Sequence, residues 1–507
     1  MFKKIKKIII PIILLIVTEL FLYFQMISSK PSITIKYRVM YLIICILSNV
    51  FLLIALYMLN KKQKMKVENV FLTIAIIFGS LYLVFIPALL GTDELPHFLR
   101  PYQISTGDII VKYPEKNETL IPKDIADFVG EKVMINRYSK KNTFSSTDYN
   151  NKINLWNGDV TSINYSPIPY LPQIIGFLIS KLFKLSPLLT LFMVRFCNFA
   201  TWLVLSYIAF KKLPTKKIFA LILYTSPAIL SIVSTCSGDA LALALMFLLI
   251  SYILNICKTE RKFERMDFVS LLLISLGIST YKLFYVIYIL LLFIIPQKCF
   301  TNKKEKILTL SSIVFLSFVF DAVWFFATSI SNTISSNLVS NQISFILSNP
   351  IKYILIFVNT YINDIYYYAT NIVAGSEMCY GLVRVNQLFV ISYLFTLIAS
   401  YVNNNEKINF NKSSKILISF VCLAVFGLVS TTLYLEWTAA KMGVGYSKII
   451  GIQSRYFIAL IIPILLLFQN TKKVHISDKK IINIAVVLDA ILFIDCIKSL
   501  LIAVFPS

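Results

Sequence analysis

Between Gly91 and Arg100 the sequence reads GTDELPHFLR, which places two adjacent carboxylates, a histidine and an arginine within three turns of a helix. Asp93 and Glu94 follow directly on an apolar run, VFLTIAIIFGSLYLVFIPALL, long enough to cross a bilayer. Such a carboxylate pair has two readings. One is a solvated span end at which Thr92 or Asp93 caps a helix. The other is a general base or metal ligand held near a reacting hydroxyl. A position at the very end of a span fixes the carboxylate's depth relative to a lipid substrate. His97 stands four residues after Asp93, so a helix would turn both to one face. Pro96 argues for a first turn, where proline is well tolerated. Arg100 completes the set and is expected, with His97, on the substrate side.

The string DELPH resembles zinc-hydrolase motifs only weakly. Zinc catalysis needs three protein ligands, and the second of the chain's two histidines is His475, far along the chain. Other charged groups lie at span ends. Arg455, in GIQSRYFIALIIP, is either a snorkelling anchor beside Tyr456 or a bidentate clamp for phosphate oxygens. Lys282, at the turn of a short apolar hairpin, is a weaker candidate of the same kind. Asp239, in STCSGDALALAL, begins an apolar span. It is either a helix cap or a working acid, since acids at that depth are rarely idle. Acidic outer-loop residues such as Asp159 and Glu377 would be partners for Asp93 at a divalent cation (magnesium or manganese), if one is used.

These residues need a scaffold, and composition fixes its class. The chain has 507 residues, 57% hydrophobic and 15% charged. Apolar runs of roughly 15 to 23 residues recur throughout, and in lipid such runs must be helices. The expected fold is an all-α polytopic membrane protein. The net charge of +24 does not imply nucleic acid. The lysines cluster in short loops (for example 61–66, 211–217 and 298–306), which is the positive-inside pattern. A nucleic-acid protein would carry its charge on a folded domain. The eight cysteines show no disulfide or metal spacing. The amino-terminal basic and apolar stretch lacks a small-residue cleavage site and reads as an uncleaved anchor.

The lysine clusters give an orientation. With the N-terminus cytoplasmic, about 13 spans follow, near 8–27, 39–59, 70–90, 187–210, 218–235, 237–256, 267–281, 283–296, 307–328, 387–402, 416–436, 454–469 and 481–503. Three segments then face outward: 91–167, which holds ten of the 25 acids, 329–386 and 437–453. The chain divides into an N-terminal helical hairpin (1–69), a membrane module carrying the large outer loop (70–300) and C-terminal helices (301–507). Whether 170–184 and 351–371 cross the membrane is left open by the sequence.

Four segments occur in one order: DELPHFLRPYQISTGDI; NYSPIPYLPQIIGFLISKLF with LFMVRFCN; SGDALALAL; and GIQSRYFIALIIP. Together, over roughly 70–470, they resemble the bacterial membrane-protein family called domain of unknown function 2142. That family is similar to the GT-C superfamily of glycosyltransferases. The resemblance implies a plasma-membrane enzyme with a GT-C-like fold. It would move a sugar from a polyprenyl-phosphate carrier to a glycan or lipid-linked acceptor at the outer face, with inversion. Asp93, supported by Glu94, would be the catalytic acid-base group. Arg455 would hold the lipid phosphate. Tyr456, Lys282, Asp239, His97 and Arg100 are expected from their own types and positions as further substrate contacts. Thr92 stands where the family usually has proline, Ser454 where it has glycine, and Asn349 where it has histidine before Pro350.

Two other classes compete with this expectation. A lipid-sugar transporter would place polar groups at the midplane, often on broken helices related by a repeat; no repeat is visible here. A polysaccharide polymerase or ligase would normally carry its large loop late in the chain, whereas here it follows an early span.

Overall fold

The computed structural model of the chain describes residues 2–61, 66–110, 118–131, 138, 141–156, 165–329, 336–403, 408–468 and 476–504. Among them, seven helices are long and apolar enough to cross a bilayer: Ile9–Ser29, Ile35–Leu59, Val67–Phe85, Pro187–Lys212, Asp239–Thr259, Lys303–Thr328 and Lys412–Met442. An eighth crossing results if the bent pair Asn337–Ser348 and Pro350–Asn371 counts as one. The protein is a multi-pass helical membrane protein. About 13 spans were expected, and several of the expected spans take other forms among the described residues, for local reasons.

The expected span 218–235 is two short helices, Lys217–Tyr224 and Pro227–Val233. Pro227 lacks the N–H that would continue the first helix, and Ser226 ahead of it is extended. The expected span 283–296 is a 3₁₀ helix, Leu283–Ile294. At about 2.0 Å per residue it reaches roughly 24 Å, further than an α-helix of equal length. Its register is fixed by Tyr285 Oη donating to the Tyr456 carbonyl at 3.0 Å and Tyr288 Oη to that of Ala459 at 3.1 Å. Asp478–Val504 is a full-length helix, but Asp489, Asp495 and Lys498 take it out of the apolar class.

The structure shows the form of both open segments. Leu171–Leu182 has 12 residues. At about 1.5 Å per residue it spans roughly 18 Å, short of a 30 Å hydrocarbon core. It lies against Pro187–Lys212, and at Gly176 an added Cβ would fall 2.8 Å from the Val194 Cα, so only glycine permits the approach. Asn337–Ser348 and Pro350–Asn371 are bent by 103° at Asn349-Pro350.

One continuous apolar core runs from Leu15 to Leu501. It joins the N-terminal hairpin, the central module and the C-terminal helices. The large polar loop has its own core. Phe98, Tyr102, Ile121, Ile125, Phe128 and Phe177 pack there, over the Leu171–Leu182 and Pro187–Lys212 helices. Within the loop the all-helical expectation gives way to a small antiparallel ribbon. Glu118–Pro122 pairs with Lys152–Trp156, with Leu120 opposite Asn154. The three segments expected on one side do meet. Thr92 Oγ1 donates to the Glu377 carbonyl at 2.5 Å, and Lys448 Nζ lies 2.6 Å from Asp364 Oδ2. The lysine-rich loops meet elsewhere, through Lys262 Nζ on the Lys298 carbonyl and Asn255 Nδ2 on that of Lys212.

Candidate functional site

Asp93 ends the third helix's exit turn in the left-handed region, φ 56° and ψ 21°, immediately before the Glu94–Ser105 helix. Aspartate tolerates that conformation better than most residues. Its carboxylate is 40% exposed and lies 2.5 Å from Arg455 Nη2. Arg455 sits in a short 3₁₀ turn, Ser454–Phe457, that opens the Ile458–Leu467 helix. The guanidinium is 5% exposed, so the snorkelling reading fails: the side chain turns inward and ion-pairs with acids.

The second of those acids is Asp239, the first residue of the Asp239–Thr259 helix. Its Oδ2 lies 3.2 Å from Arg455 Nε. Its Oδ1 accepts from Tyr281 Oη and lies 3.6 Å from Lys282 Nζ. Lys282 is extended between two helices, and its ammonium faces the Tyr281 and Tyr456 rings at 4.7 and 4.3 Å. Two carboxylates and two cations therefore form one cluster, with Asp93 on its open side. The loop before Asp239 is held by groups the sequence reading did not single out. Gln173 Nε2 donates to the Ser237 carbonyl (2.9 Å) and to Asn198 Oδ1 (3.1 Å), and Asn198 Nδ2 donates to the Thr235 carbonyl (2.8 Å). Gly91 is required here, because a Cβ would lie 2.6 Å from that of Thr235.

Glu94 departs from expectation. It does not share Asp93's surroundings. It is fully buried and accepts two 2.7 Å bonds from Arg195, which is also fully buried. Its oxygens further accept from the Gly91 and Cys236 amides, both at 3.0 Å. Arg195 spends its remaining donors on the Leu83, Ile86 and Pro87 carbonyls, which are the last turn and exit of the third helix. A carboxylate so saturated has no lone pair directed at a substrate. The pair ties the exit turn carrying Asp93 to the loop carrying Asp239. Arg195 is an arginine in the interior of an apolar helix, and that is the signal by which sequence reasoning would have found it.

His97 and Arg100 also turn inward. His97 Nδ1 is 2.6 Å from Tyr170 Oη, and its ring stacks on Tyr165 at 5.9 Å and 5°. Burial pushes the imidazole down to about 4, with Arg455 and Lys282 adding to the effect and Asp239 and Asp93 opposing it. The ring is neutral at pH 7. Arg100 is fully buried and donates to the carbonyls of Tyr165, Asp108 and Ile109. It closes the loop and does not face the cluster. Tyr456 does line the cluster, through its ring.

Glu377 is absorbed in a different way from that expected. Its carboxylate accepts from the Ser454 amide and hydroxyl, each at 2.8 Å, and so fixes the turn that presents Arg455. Burial raises its protonation range despite those bonds. With Asp93 on Arg455 and Glu377 on Ser454, the two do not form a ligand set. Among the described residues no group of three or more His, Cys, Asp and Glu is placed to hold a metal ion. Asp159 and His475 lie outside the described residues, as does the side chain of Trp156. Trp437 packs on Gly451, where a Cβ would fall 2.6 Å from its ring.

A cavity of about 670 Å³ opens beside the cluster. Tyr165, Tyr281, Lys282 and Tyr456 form its polar end, and Phe318, Phe325 and Leu428 are among its apolar walls.

Residues 76–465 match the family described as predicted membrane protein (DUF2142), and the chain belongs to that family. No curated protein and no solved structure matches the chain.

Proposed function

We propose that this member of the family is a glycosyltransferase that takes a sugar from a polyprenyl-phosphate carrier at the outer membrane surface. The observation that carries the reading is Arg455 bridging Asp93 and Asp239, with Lys282 on the far side of Asp239. The donor phosphate enters between Arg455 and Lys282, where a planar guanidinium and an ammonium meet its oxygens. In doing so it competes with Asp93 for Arg455 and releases that carboxylate. Asp93 then accepts the proton of the acceptor hydroxyl, whose oxygen attacks the anomeric carbon. The bond from that carbon to the phosphate oxygen breaks, and the leaving phosphate keeps its electron pair. Arg455 and Lys282 stabilise the developing charge. A single displacement inverts the anomeric centre. The acceptor is a glycan or a lipid-linked sugar. Glu94, Arg195, His97 and Arg100 act as positioning residues.

The largely apolar cavity that Lys282 helps to line supports this reading, because a prenyl chain needs apolar surface beside its phosphate. The reading is tested by binding of polyprenyl phosphate to the protein in nanodiscs. Wild type should bind, and Arg455→Ala should bind at least about tenfold more weakly, the scale of a lost charge-assisted bond. Equal affinity would remove Arg455 from the site.

A transporter is the second reading, and one observation favours it. Asp489 and Asp495 are buried within the Asp478–Val504 helix, and Lys498 pairs with Asp495. Ionisable groups inside a bundle often mark ion pathways. A transporter would leave the sugar-phosphate bond of its cargo intact, which lipid analysis distinguishes.

A further inference from the structure

We infer that the cavity beside the cluster takes an amphiphile bearing an ammonium group, with Asp321 and Glu436 as its counter-ions. The two acids come from different helices and line the same cavity. Asp321 is 6% exposed, and its Oδ2 has no hydrogen-bond partner among the described residues. Glu436 is presented by a π-helical segment, Tyr434–Thr438. Such local widenings of a helix recur at functional sites. No described residue forms an ion pair with either acid. The sole cation on the cavity wall among the described residues is Lys282, which Asp239 already engages.

Asp321, buried and unpaired on an apolar helix, is costly there, and the exposed Glu436 adds a second negative charge to the cavity wall. A ligand cation removes that cost, and the aromatic residues Trp324 and Phe325 line the same cavity. Hydroxyl groups would supply hydrogen bonds without balancing the charge. Phe318 and Phe325 are 54% and 53% exposed, so the wall is open to lipid and a long chain has a lateral way in. The inference deepens the proposed function and rests on it in one respect: the ligand's phosphate lies at Lys282 and Arg455. The ligand is then zwitterionic, with the ammonium supplied by an amino sugar on the carrier or by the headgroup of an aminophospholipid.

The test uses the full chain in phosphatidylglycerol nanodiscs and two probes, hexadecyl phosphate and hexadecyl phosphoethanolamine. Wild type should prefer the ammonium-bearing probe by about tenfold, the scale of a charge-assisted hydrogen bond. Asp321→Asn should abolish the preference while keeping affinity for hexadecyl phosphate, which also reports that the variant is folded. Glu436→Gln serves the same purpose if Asp321→Asn does not fold. Displacement of the preferred probe by glucosamine but not glucose assigns the ammonium to an amino sugar. Displacement by phosphoethanolamine alone assigns it to a headgroup. Equal affinity of wild type for both probes would overturn the inference. Loss of binding of hexadecyl phosphate in Arg455→Ala tests the underlying phosphate site separately, so the two can fail independently.

Discussion

Arg455 Nη2 lies 2.5 Å from Asp93 Oδ2, although 362 residues separate them in the chain. Among the described residues of the cluster, the most exposed carboxylate is paired with its guanidinium. An anion that bound Arg455 in place of Asp93 would free that carboxylate.

Asp93→Asn keeps size and polarity but cannot accept a proton. Transfer should fall by about 10² to 10⁴, the usual contribution of a general base. Donor binding should be unchanged or tighter, because Arg455 loses a competing carboxylate. A matched loss of donor affinity would show that Asp93 binds substrate and does not act as a base.

Arg455→Lys and Lys282→Gln should both raise the Michaelis constant for donor while the protein stays folded. Lysine keeps the charge but loses the planar fork. If steady-state kinetics show only a lower kcat with an unchanged Michaelis constant, the phosphate does not sit between these two residues.

Glu94→Gln should behave unlike Asp93→Asn. It leaves Arg195 buried without its counter-ion, a defect that costs about 3–5 kcal/mol. Thermal unfolding in detergent should show a large drop for Glu94→Gln and almost none for Asp93→Asn. Similar melting curves for both would deny Glu94 its positioning role.

How much of this was legible in the sequence depends on the residue. Asp93, Asp239, Lys282 and Arg455 were identified from charge at span ends, and the structure brings all four together. Glu94 was grouped with Asp93 because adjacent residues look equivalent in a string, and the structure gives it different partners. In the fold, the left-handed turn at Asp93 sends the two carboxylates to different partners. Arg195, Gln173 and Asn198 were visible as polar groups in apolar segments, but their role depends on which loop lies beside them, and that is not a local property. The shorter crossings had a sequence cause in one case, Pro227. The 3₁₀ helix at Leu283–Ile294 had none, since its register depends on tyrosine bonds to a segment 171 residues away.

The imidazole of His97 gives a pH signature. Its range falls from 6.5 when unfolded to about 4 in the folded protein. The unfolded chain therefore binds a proton first as pH drops. Stability should be unaffected above pH 6.5 and should decline between 6.5 and about 4. His97→Gln should lose that part of the decline. A pH series of melting temperatures that is identical for both proteins would place the histidine in a solvated setting.

Orientation is open to direct labelling. Ser145 is exposed in the large polar loop. Ser145→Cys should react with an impermeant thiol reagent on intact cells. Reaction only after lysis would invert the assignment of sides.

The central claim is that Asp93 drives transfer of a sugar from a polyprenyl-phosphate carrier. It is tested most directly by mass spectrometry of lipid extracts from cells carrying the wild-type protein, no protein, or Asp93→Asn. The account predicts that a polyprenyl-phosphate-linked sugar accumulates to the same extent in the last two and is depleted by wild type. Indistinguishable lipid profiles in all three strains, with the variant present at wild-type levels, would contradict it.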